Sequence, residues 1–244
     1  MSNTRVIWLH GDDPPERFPP IDAALAEPDG LLAAGGDLRP ERLLAAYRQS
    51  IFPWSEEGQP LLWWTPDPRC VFLPGDFRVS RRQQQEIRST TAEIRINTAF
   101  DEVIRQCAAP RRSGQGTWIT PDMDAAYRAL HALGWAHSIE VWIDNELVGG
   151  MYGLAIGSAF FGESMYSRRP NSSKMAMLYL AYRMQQGDLA LLDCQVVSAH
   201  LLSLGARTLP RAEFRQMLDR LCEPVRPFDK WPDASIPCRD LLSN

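Results

Sequence analysis

Apolar residues recur at helical spacing in seven segments of this chain. The first helix is predicted to begin near Arg39, because Pro40 suits a first helical turn and Leu43 and Tyr47 follow on one face. The seven predicted helices begin near residues 39 and 80 and span 98–107, 120–134, 172–187, 198–205 and 210–221.

Shorter apolar runs alternate with these helices and suggest β-strands. In residues 137–143 polar and apolar side chains alternate, and Asp144 and Asn145 turn the chain into an apolar run over 147–156, so an antiparallel pair is predicted. The order of helices, a three-strand meander and then alternating helices and strands predicts a mixed sheet covered on both faces. Further strands are predicted at 70–73, 93–96, 159–164 and 189–194, and after Gly205.

Prolines mark a division of the chain near residue 67. Pro60, Pro66 and Pro68 surround Trp63 and Trp64. Proline donates no backbone hydrogen bond and fixes φ, so no regular element is expected there. We therefore predict an α+β protein with a small N-terminal domain over residues 1–67 and a mixed-sheet domain over residues 68–244.

The composition is that of a folded globular protein, with 45% hydrophobic and 23% charged residues, which excludes fibrous and disordered chains. Residues 147–162 are uncharged but contain five glycines and are shorter than the ~20 apolar residues of a membrane span, so no membrane association is expected. No secretory signal is visible at the start, and a cytoplasmic protein is expected. Five cysteines without a C-x-x-C pair predict reduced thiols, no metal site and no other cofactor.

Basic residues are concentrated in the middle of an acidic chain. Residues 1–77 have a net charge of −6, residues 78–112 one of +4, and residues 113–244 one of −2. Two interpretations of the basic segment stay open. It is either an exposed helix face in an arginine-rich protein or a surface that binds nucleic-acid phosphates, for which arginine is well suited.

Four separated segments contain recognisable motifs. They are PDGLLA with GDL at 28–38, IFPW with WWTPDPR at 51–69, GESMYS at 162–167, and DCQ with SLGA at 193–206. Together they resemble the leucyl/phenylalanyl-tRNA-protein transferase family over nearly the whole chain. The resemblance implies a C-terminal domain like that of the GNAT N-acetyltransferases. It also implies transfer of Leu or Phe, with Met as a further donor residue, from aminoacyl-tRNA to proteins that begin with Arg or Lys, which marks them for degradation through the N-degron pathway.

The fold alone also allows a CoA-dependent N-acetyltransferase. Such enzymes hold pyrophosphate on a glycine-rich turn before a helix, whereas the corresponding residues 168–173 contain no glycine. An R-x-x-G-x-G string does occur at 111–116, but it lies two elements too early in the chain. A CoA enzyme and a non-catalytic reader of basic N-termini are kept as alternatives to the transferase.

Asp193 and Gln195 lie two residues apart at the end of a predicted strand, so their side chains are expected on one face. There Asp193 can hold a cationic acceptor, and the amide oxygen of Gln195 can accept a hydrogen bond from its amine. The resemblance implies that both positions act in catalysis, with the glutamine receiving the proton. An amide is too weak a base to keep a proton, so orientation of the amine is the alternative. Cys194 is predicted to face the core on the opposite side.

Glu163 interrupts an apolar strand, where an unpaired carboxylate is unfavourable, so a cationic partner is expected. That partner is either an internal arginine or, as the resemblance implies, the N-terminal Arg or Lys of the acceptor, which Asp193 would also bind. The resemblance further implies an apolar pocket for the Leu or Phe side chain. Its residues, which composition alone would mostly assign to the core, are Met151, Phe160, Met165 and Ser167.

Tryptophans are the predicted contacts of the tRNA 3′ end. The resemblance implies that Trp54 and Trp118 border the aminoacyl-adenosine, where an aromatic face can stack on the terminal adenine. Trp63 and Trp64 are better explained by burial at a domain interface.

Phosphate contacts to the tRNA are predicted on the helix that begins near Ser80. The resemblance places a basic cluster there, formed by Arg81, Arg82 and Arg88. Three glutamines follow Arg82 and dilute the positive charge, so phosphate binding is expected either to be weaker or to use Arg111 and Arg112 as well. We expect a monomer whose partners are Leu-tRNA or Phe-tRNA and the acceptor protein.

Overall fold

The architecture comes from a computed structural model that describes residues 5–109 and 118–242. Its N-terminal part contains a four-stranded sheet in the order β1-β2-β4-β3. The strands β1 and β2 pair in parallel, and the other neighbours pair antiparallel. The four strands are β1 (Ile7–Leu9), β2 (Leu31–Gly35), β3 (Phe52–Pro53) and β4 (Leu62–Trp64).

A larger sheet of eight strands follows, in the order β11-β5-β10-β9-β8-β7-β6-β12. Neighbouring strands pair antiparallel except β9 and β10, which are parallel. The predicted α+β class, with a small N-terminal sheet and a larger mixed sheet, is thereby confirmed. The strands are β5 (Arg69–Phe72), β6 (Glu93–Ile96), β7 (Ala136–Ile143), β8 (Glu146–Ile156), β9 (Ala159–Ser167), β10 (Leu191–Asp193), β11 (Arg207–Leu209) and β12 (Ile236–Pro237).

The described residues contain all seven predicted α-helices. Their ends follow the capping residues of the sequence: the hydroxyl of Ser80 accepts the N–H of Gln83, and that of Thr120 accepts the N–H of Met123. The helices are α1 (Pro40–Arg48), α2 (Arg81–Ser89), α3 (Phe100–Ala108), α4 (Pro121–Ala132), α5 (Ser172–Gln185), α6 (Ala199–Ser203) and α7 (Arg211–Leu221), with 3₁₀ turns at Ile21–Ala23 and Cys238–Leu242.

Two local predictions are wrong. Residues 62–64 form β4 although a loop was predicted, because Pro60 and Pro66 lie outside the three residues that pair. The strand β7 does not alternate between buried and exposed side chains, since its first six residues are all buried. Glu140 shows how a charge is accommodated there: its carboxylate accepts hydrogen bonds from Ser138 Oγ at 2.7 Å, from the backbone N–H of Ala99 at 2.7 Å and from Trp142 Nε1 at 3.0 Å.

Hydrophobic cores lie on both faces of the larger sheet. Tyr152 and Phe161 point into one core, and their neighbours Met151 and Phe160 point into the other. The first core also contains Trp63 of the smaller sheet, so the two sheets share packed side chains. The domain boundary at residue 67 therefore stays a prediction. No helix in the described part of the chain is both long and apolar enough to cross a membrane.

The larger sheet opens between β9 and β10. Their pairing stops at Phe161 and Asp193, and β9 continues to Ser167 paired with β8 on its other side. A β-bulge lies just beyond this point, because Gly153 faces Gly162 and Tyr152 faces Ser164, which leaves Glu163 as the additional residue. Bulges re-aim side chains, and this one turns Glu163 toward α1 and α4, where Tyr47 and Tyr127 contact it.

Gly153 is the residue that makes room for this bulge. A Cβ at Gly153 would lie 2.1 Å from the carbonyl oxygen of Phe161 and 2.6 Å from Cε1 of Phe160. We expect Gly153→Ala to lower the free energy of unfolding by at least about 2 kcal/mol, because the backbone carbonyl cannot move away without breaking the sheet. Thermal unfolding measures this, with Gly11→Ala as control, since a Cβ at Gly11 meets nothing within 4 Å. Equal stability of the two variants would contradict the assignment.

Candidate active site

A cavity of about 270 Å³ lies between β3 of the smaller sheet and the diverging ends of β9 and β10. Its walls combine aromatic rings with one carboxylate and one amide side chain. The lining residues are Phe52, Pro53, Trp54, Trp118, Glu163, Cys194, Gln195 and Val196.

Glu163 is the ionisable carboxylate of this cavity, and neutral groups surround it. Its Oε1 accepts a hydrogen bond from the hydroxyl of Tyr47 at 2.7 Å, and its Oε2 accepts one from Tyr127 at 2.7 Å. The amide Nε2 of Gln195 lies 3.3 Å from Oε1. Burial raises the pKa of Glu163 to about 7, although the two tyrosine hydrogen bonds act in the opposite direction. The carboxylate is therefore poised to change its charge near neutral pH.

The two tyrosines form a closed contact with this carboxylate. The hydroxyl oxygens of Tyr47 and Tyr127 lie 2.6 Å apart, and both side chains are fully buried. Burial and the charge of Glu163 raise the pKa of each tyrosine well above its ordinary value, so both hydroxyls keep their protons. Tyr152 stands beside them, with its ring centroid 5.4 Å from that of Tyr127.

Asp193 occupies a different position from the one the sequence predicts. Its carboxylate is fully buried and pairs with Arg69, whose Nε lies 2.9 Å from Oδ1 and whose Nη2 lies 2.7 Å from Oδ2. Arg69 also donates to the carbonyl oxygen of Ser50 at 3.1 Å, and its guanidinium lies 4.8 Å from the ring centroids of both Phe52 and Phe214. Asp193 therefore does not line the cavity. Direct contact between Asp193 and an acceptor was predicted, and its pairing with Arg69 speaks against that contact.

Asp193 instead holds the backbone of Gln195. Its Oδ1 accepts the N–H of Gln195 at 2.9 Å. Gln195 has a φ of 55°, and the N–H of Val196 donates to the carbonyl of Cys194 at 2.7 Å, which closes a tight turn around Gln195. A non-glycine residue with positive φ is strained unless its surroundings fix it. Asp193 thus supports the backbone of Gln195, and a role of the two residues in catalysis stays a prediction.

Trp54 and Trp118 both line the cavity, as the sequence predicts for a stacking surface. Trp54 is 41% exposed, and Trp64 supports it with a ring contact at 5.8 Å and a hydrogen bond from Nε1 to the carbonyl of Trp54 at 2.7 Å. Trp63 is fully buried. A partly exposed, supported indole is a suitable platform for a base.

Cys194 borders the cavity and also packs against the core on the opposite face of the larger sheet, the side on which it was predicted. Its thiol is not a nucleophile, because burial raises its pKa well above the ordinary value and thiolate is the reactive form.

The residues predicted to bind the Leu or Phe side chain do not line this cavity. Met151 and Phe160 are buried in the core on the opposite face of the sheet, and Met165 packs against that core. Ser167 lies at the end of β9 and donates to the hydroxyl of Ser173 at 2.9 Å. Met151 still reaches the opening of the sheet: its Cε lies 3.3 Å from the position that a Cβ on Gly162 would take. An apolar pocket there stays a prediction.

The three predicted phosphate contacts are exposed on α2, where Arg82 pairs with Glu86 at 3.0 Å. Arg111 and Arg112 lie outside the described residues. No group of three or more His, Cys, Asp or Glu side chains is placed to hold a metal ion in the part of the chain described.

The sequence alone did not indicate Tyr47 and Tyr127 as site residues, and it gave Arg69 no role. Tyr47 was assigned to the apolar face of α1, and Tyr127 was not singled out on α4. Arg69 was noticed only as the last residue of a motif, although a basic residue beginning a buried strand signals a buried partner. No local pattern could have joined α1, α4 and β9 at one carboxylate.

Comparison with known proteins identifies a family. Residues 71–219 match the family model described as leucyl/phenylalanyl-tRNA protein transferase, and residues 36–67 match that of its N-terminal domain. Among curated leucyl/phenylalanyl-tRNA–protein transferases, that of Nitrosomonas eutropha is 51% identical over 91% of this chain and 94% of its own. That of Aromatoleum aromaticum is 56% identical over 86% of this chain and 87% of its own. That of Pseudomonas aeruginosa is 53% identical over 88% of this chain and 94% of its own.

Solved structures resemble the chain more distantly. A GCN5-related N-acetyltransferase from Kribbella flavida has a TM-score of 0.35 at 14% identity and covers 70% of this chain and 61% of its own. L-PGS from Bacillus licheniformis has a TM-score of 0.38 at 12% identity and covers 69% of this chain and 56% of its own.

The raised pKa of Glu163 predicts a pH-dependent stability. The folded protein binds this proton more tightly than the unfolded chain, whose glutamate has the ordinary value of 4.5, so the stabilisation is complete below that value and lost as pH rises through about 7. Relative to Glu163→Gln, the parent should lose about 3 kcal/mol of unfolding free energy between pH 4 and pH 8. Denaturant unfolding at both pH values measures this, and the exposed Glu57→Gln is the control. A difference independent of pH would contradict the environment described for Glu163.

Proposed function

We propose that this chain, which belongs to the leucyl/phenylalanyl-tRNA protein transferase family, transfers Leu or Phe to proteins that begin with Arg or Lys. It is an aminoacyltransferase, and its family name gives aminoacyl-tRNA as donor and a protein as acceptor. The basic first residue, the role in protein degradation, the cytoplasmic location and the monomeric state belong to the proposal. The observation that carries it is one cavity with a lone carboxylate, an oriented amide and two indole rings.

The donor fits the aromatic side of this cavity. Trp54 and Trp118 offer faces for the terminal adenine, a contact worth ~1–3 kcal/mol per base. The aminoacyl ester is already activated, so the main task is to hold its carbonyl against the acceptor amine, and such positioning supplies ~7–11 kcal/mol of the barrier reduction. The Leu or Phe side chain would then enter the opening between β9 and β10, above Met151, where a flexible methionine adapts to either shape.

The acceptor fits the polar side. Of the two carboxylates predicted to meet it, Glu163 lines the cavity and Asp193 is paired with Arg69. Within residues 5–109 and 118–242, the side chains that form hydrogen bonds with Glu163 are Tyr47, Tyr127 and Gln195, and none of them is basic. A cationic N-terminus would supply the missing partner of Glu163, and Gln195 would orient its amine.

Transfer assays test this function. Labelled Leu-tRNA or Phe-tRNA is incubated with peptides that differ only in their first residue, Arg, Lys or Ala, and acetyl-CoA replaces the tRNA in a parallel reaction. We expect transfer from tRNA to the Arg and Lys peptides at least about tenfold above the Ala peptide, because one charge-assisted hydrogen bond contributes ~1.5–3 kcal/mol. Transfer from acetyl-CoA alone would overturn the proposal. Equal transfer to all three peptides would contradict the proposed preference for acceptors that begin with Arg or Lys.

The role of α2 requires a separate measurement. Replacing both Arg81 and Arg82 by Ala should weaken transfer from aminoacyl-tRNA and flatten its salt dependence, since each lost phosphate contact lowers the slope of log K against log salt by about 0.9. Transfer from a minimal aminoacyl-adenosine donor should be unchanged. The exposed Arg220→Ala on α7 serves as the control for charge alone. If both donors lose activity equally, the α2 arginines support the fold instead of the tRNA.

A further inference from the structure

Three oxygen pairs around Glu163 are close enough for hydrogen bonds, but two hydroxyl groups supply only two protons. The distances are 2.7 Å from Tyr47 to Oε1, 2.7 Å from Tyr127 to Oε2 and 2.6 Å between the two hydroxyls. A carboxylate only accepts, and each tyrosine donates once. When Glu163 is ionised, one of these three contacts therefore has no proton between its oxygens. A proton added to the carboxyl group completes the ring.

We propose that Glu163 is the proton acceptor of the transfer step, and that Tyr47 and Tyr127 are the positioning residues that prepare it for this role. The inference rests on the proposed function, since it requires an acceptor amine in the cavity. The bulge in β9 aims the carboxylate at this cavity, and the hydrogen bond from Gln195 Nε2 ties it to the residue that orients the amine. Glu163 thus stands where an incoming α-ammonium must lose a proton.

The step balances as follows. One N–H proton of the α-ammonium moves to Glu163, and the freed nitrogen lone pair attacks the ester carbonyl carbon. A C–N bond forms, and the C–O bond to the ribose oxygen breaks. The nitrogen then loses a second proton, which ends on that ribose oxygen as a hydroxyl. Glu163 releases the first proton to water before the next cycle.

The charged and titratable groups that face Glu163 come from five elements, and they favour this exchange. Tyr47 on α1, Tyr127 on α4 and Tyr152 on β8 are neutral hydroxyls. Asp193 on β10 opposes the ionised form and Arg69 on β5 favours it, but these two are paired with each other. The pKa of Glu163, about 7, lies close to that of a free α-amine, ~7.7–8.0, and a general base works best near the working pH.

Peptides that begin with Arg or with citrulline, its uncharged isostere, separate proton transfer from attraction of the acceptor side chain. At pH 7, Glu163→Gln should lower kcat about 6- to 11-fold for both peptides, because only about one α-amine in 6 to 11 is neutral at that pH. The loss should shrink to less than about threefold at pH 9, where the amine is already neutral. A loss confined to the Arg peptide, or one that does not depend on pH, would overturn the proposal and leave Glu163 as a selector of the first residue.

The positioning role has its own readout in the acid limb of the pH profile. Tyr47→Phe and Tyr127→Phe each remove a hydrogen bond that favours the ionised carboxylate, so the midpoint of that limb should move to higher pH. Tyr182→Phe on α5, in the other core, is the matched control and should leave the midpoint unchanged. An unshifted midpoint in both site variants would overturn their role.

Infrared titration distinguishes failure of this inference from failure of the proposed function. The carboxylic acid C=O band of Glu163, identified as the band missing in Glu163→Gln, should be present at pH 6 and absent at pH 8 in the parent without any substrate. If the band titrates but no peptide is a substrate, the proposed function is wrong while the proton site stands. If transfer occurs and no such band exists, Glu163 is not the proton acceptor.

Discussion

The buried pair of Arg69 and Asp193 is the interaction on which the rest of the site depends. Neither side chain is accessible to solvent, and removing two charges from water is favourable only when their geometry and remaining hydrogen bonds are good. Both conditions hold: two short contacts join the pair, the carbonyl of Ser50 accepts a further hydrogen bond from Arg69, and the N–H of Gln195 donates one to Asp193. Because Ser50 precedes β3 and Gln195 follows β10, this one ion pair fixes both walls of the cavity relative to each other.

The same pair explains the unusual surroundings of Glu163. Arg69 is the cation whose charge reaches Glu163, and Asp193 already holds it. Glu163 is left with hydroxyl and amide donors, which stabilise a carboxylate less than a cation does, and burial then raises its pKa. Under the proposed function, the acceptor brings a cation to this site, and a carboxylate paired permanently with an internal cation would have no charge to offer it.

The sequence predicted what local patterns determine and missed what distant elements determine together. Capping residues such as Ser80 and Thr120 placed helix starts correctly, because a cap acts within one turn of the chain. The strand β4 was not predicted, because Pro60 and Pro66 indicated a loop although both lie outside the three paired residues. The contacts of Tyr47 and Asp193 depend on partners more than 100 residues away, which no local pattern of the sequence reveals. Of the residues that the resemblance implied, Trp54, Trp118, Glu163 and Gln195 line the cavity. Asp193 instead supports Gln195, and Met151 and Phe160 lie in the opposite core.

Strain and burial at this site are consequences of its task. Gln195 adopts a positive φ, Glu163 occupies a bulge, and the bulge requires a glycine at position 153 because a Cβ would meet the Phe161 carbonyl. The positive φ of Gln195 and the burial of the Glu163 carboxylate each lower stability when considered alone. Neighbouring residues hold both in place. Tyr47 and Tyr127 illustrate this: their rings pack in the hydrophobic core while their hydroxyls meet the carboxylate. The packing of the core therefore fixes the position of the Glu163 carboxylate through these two tyrosines.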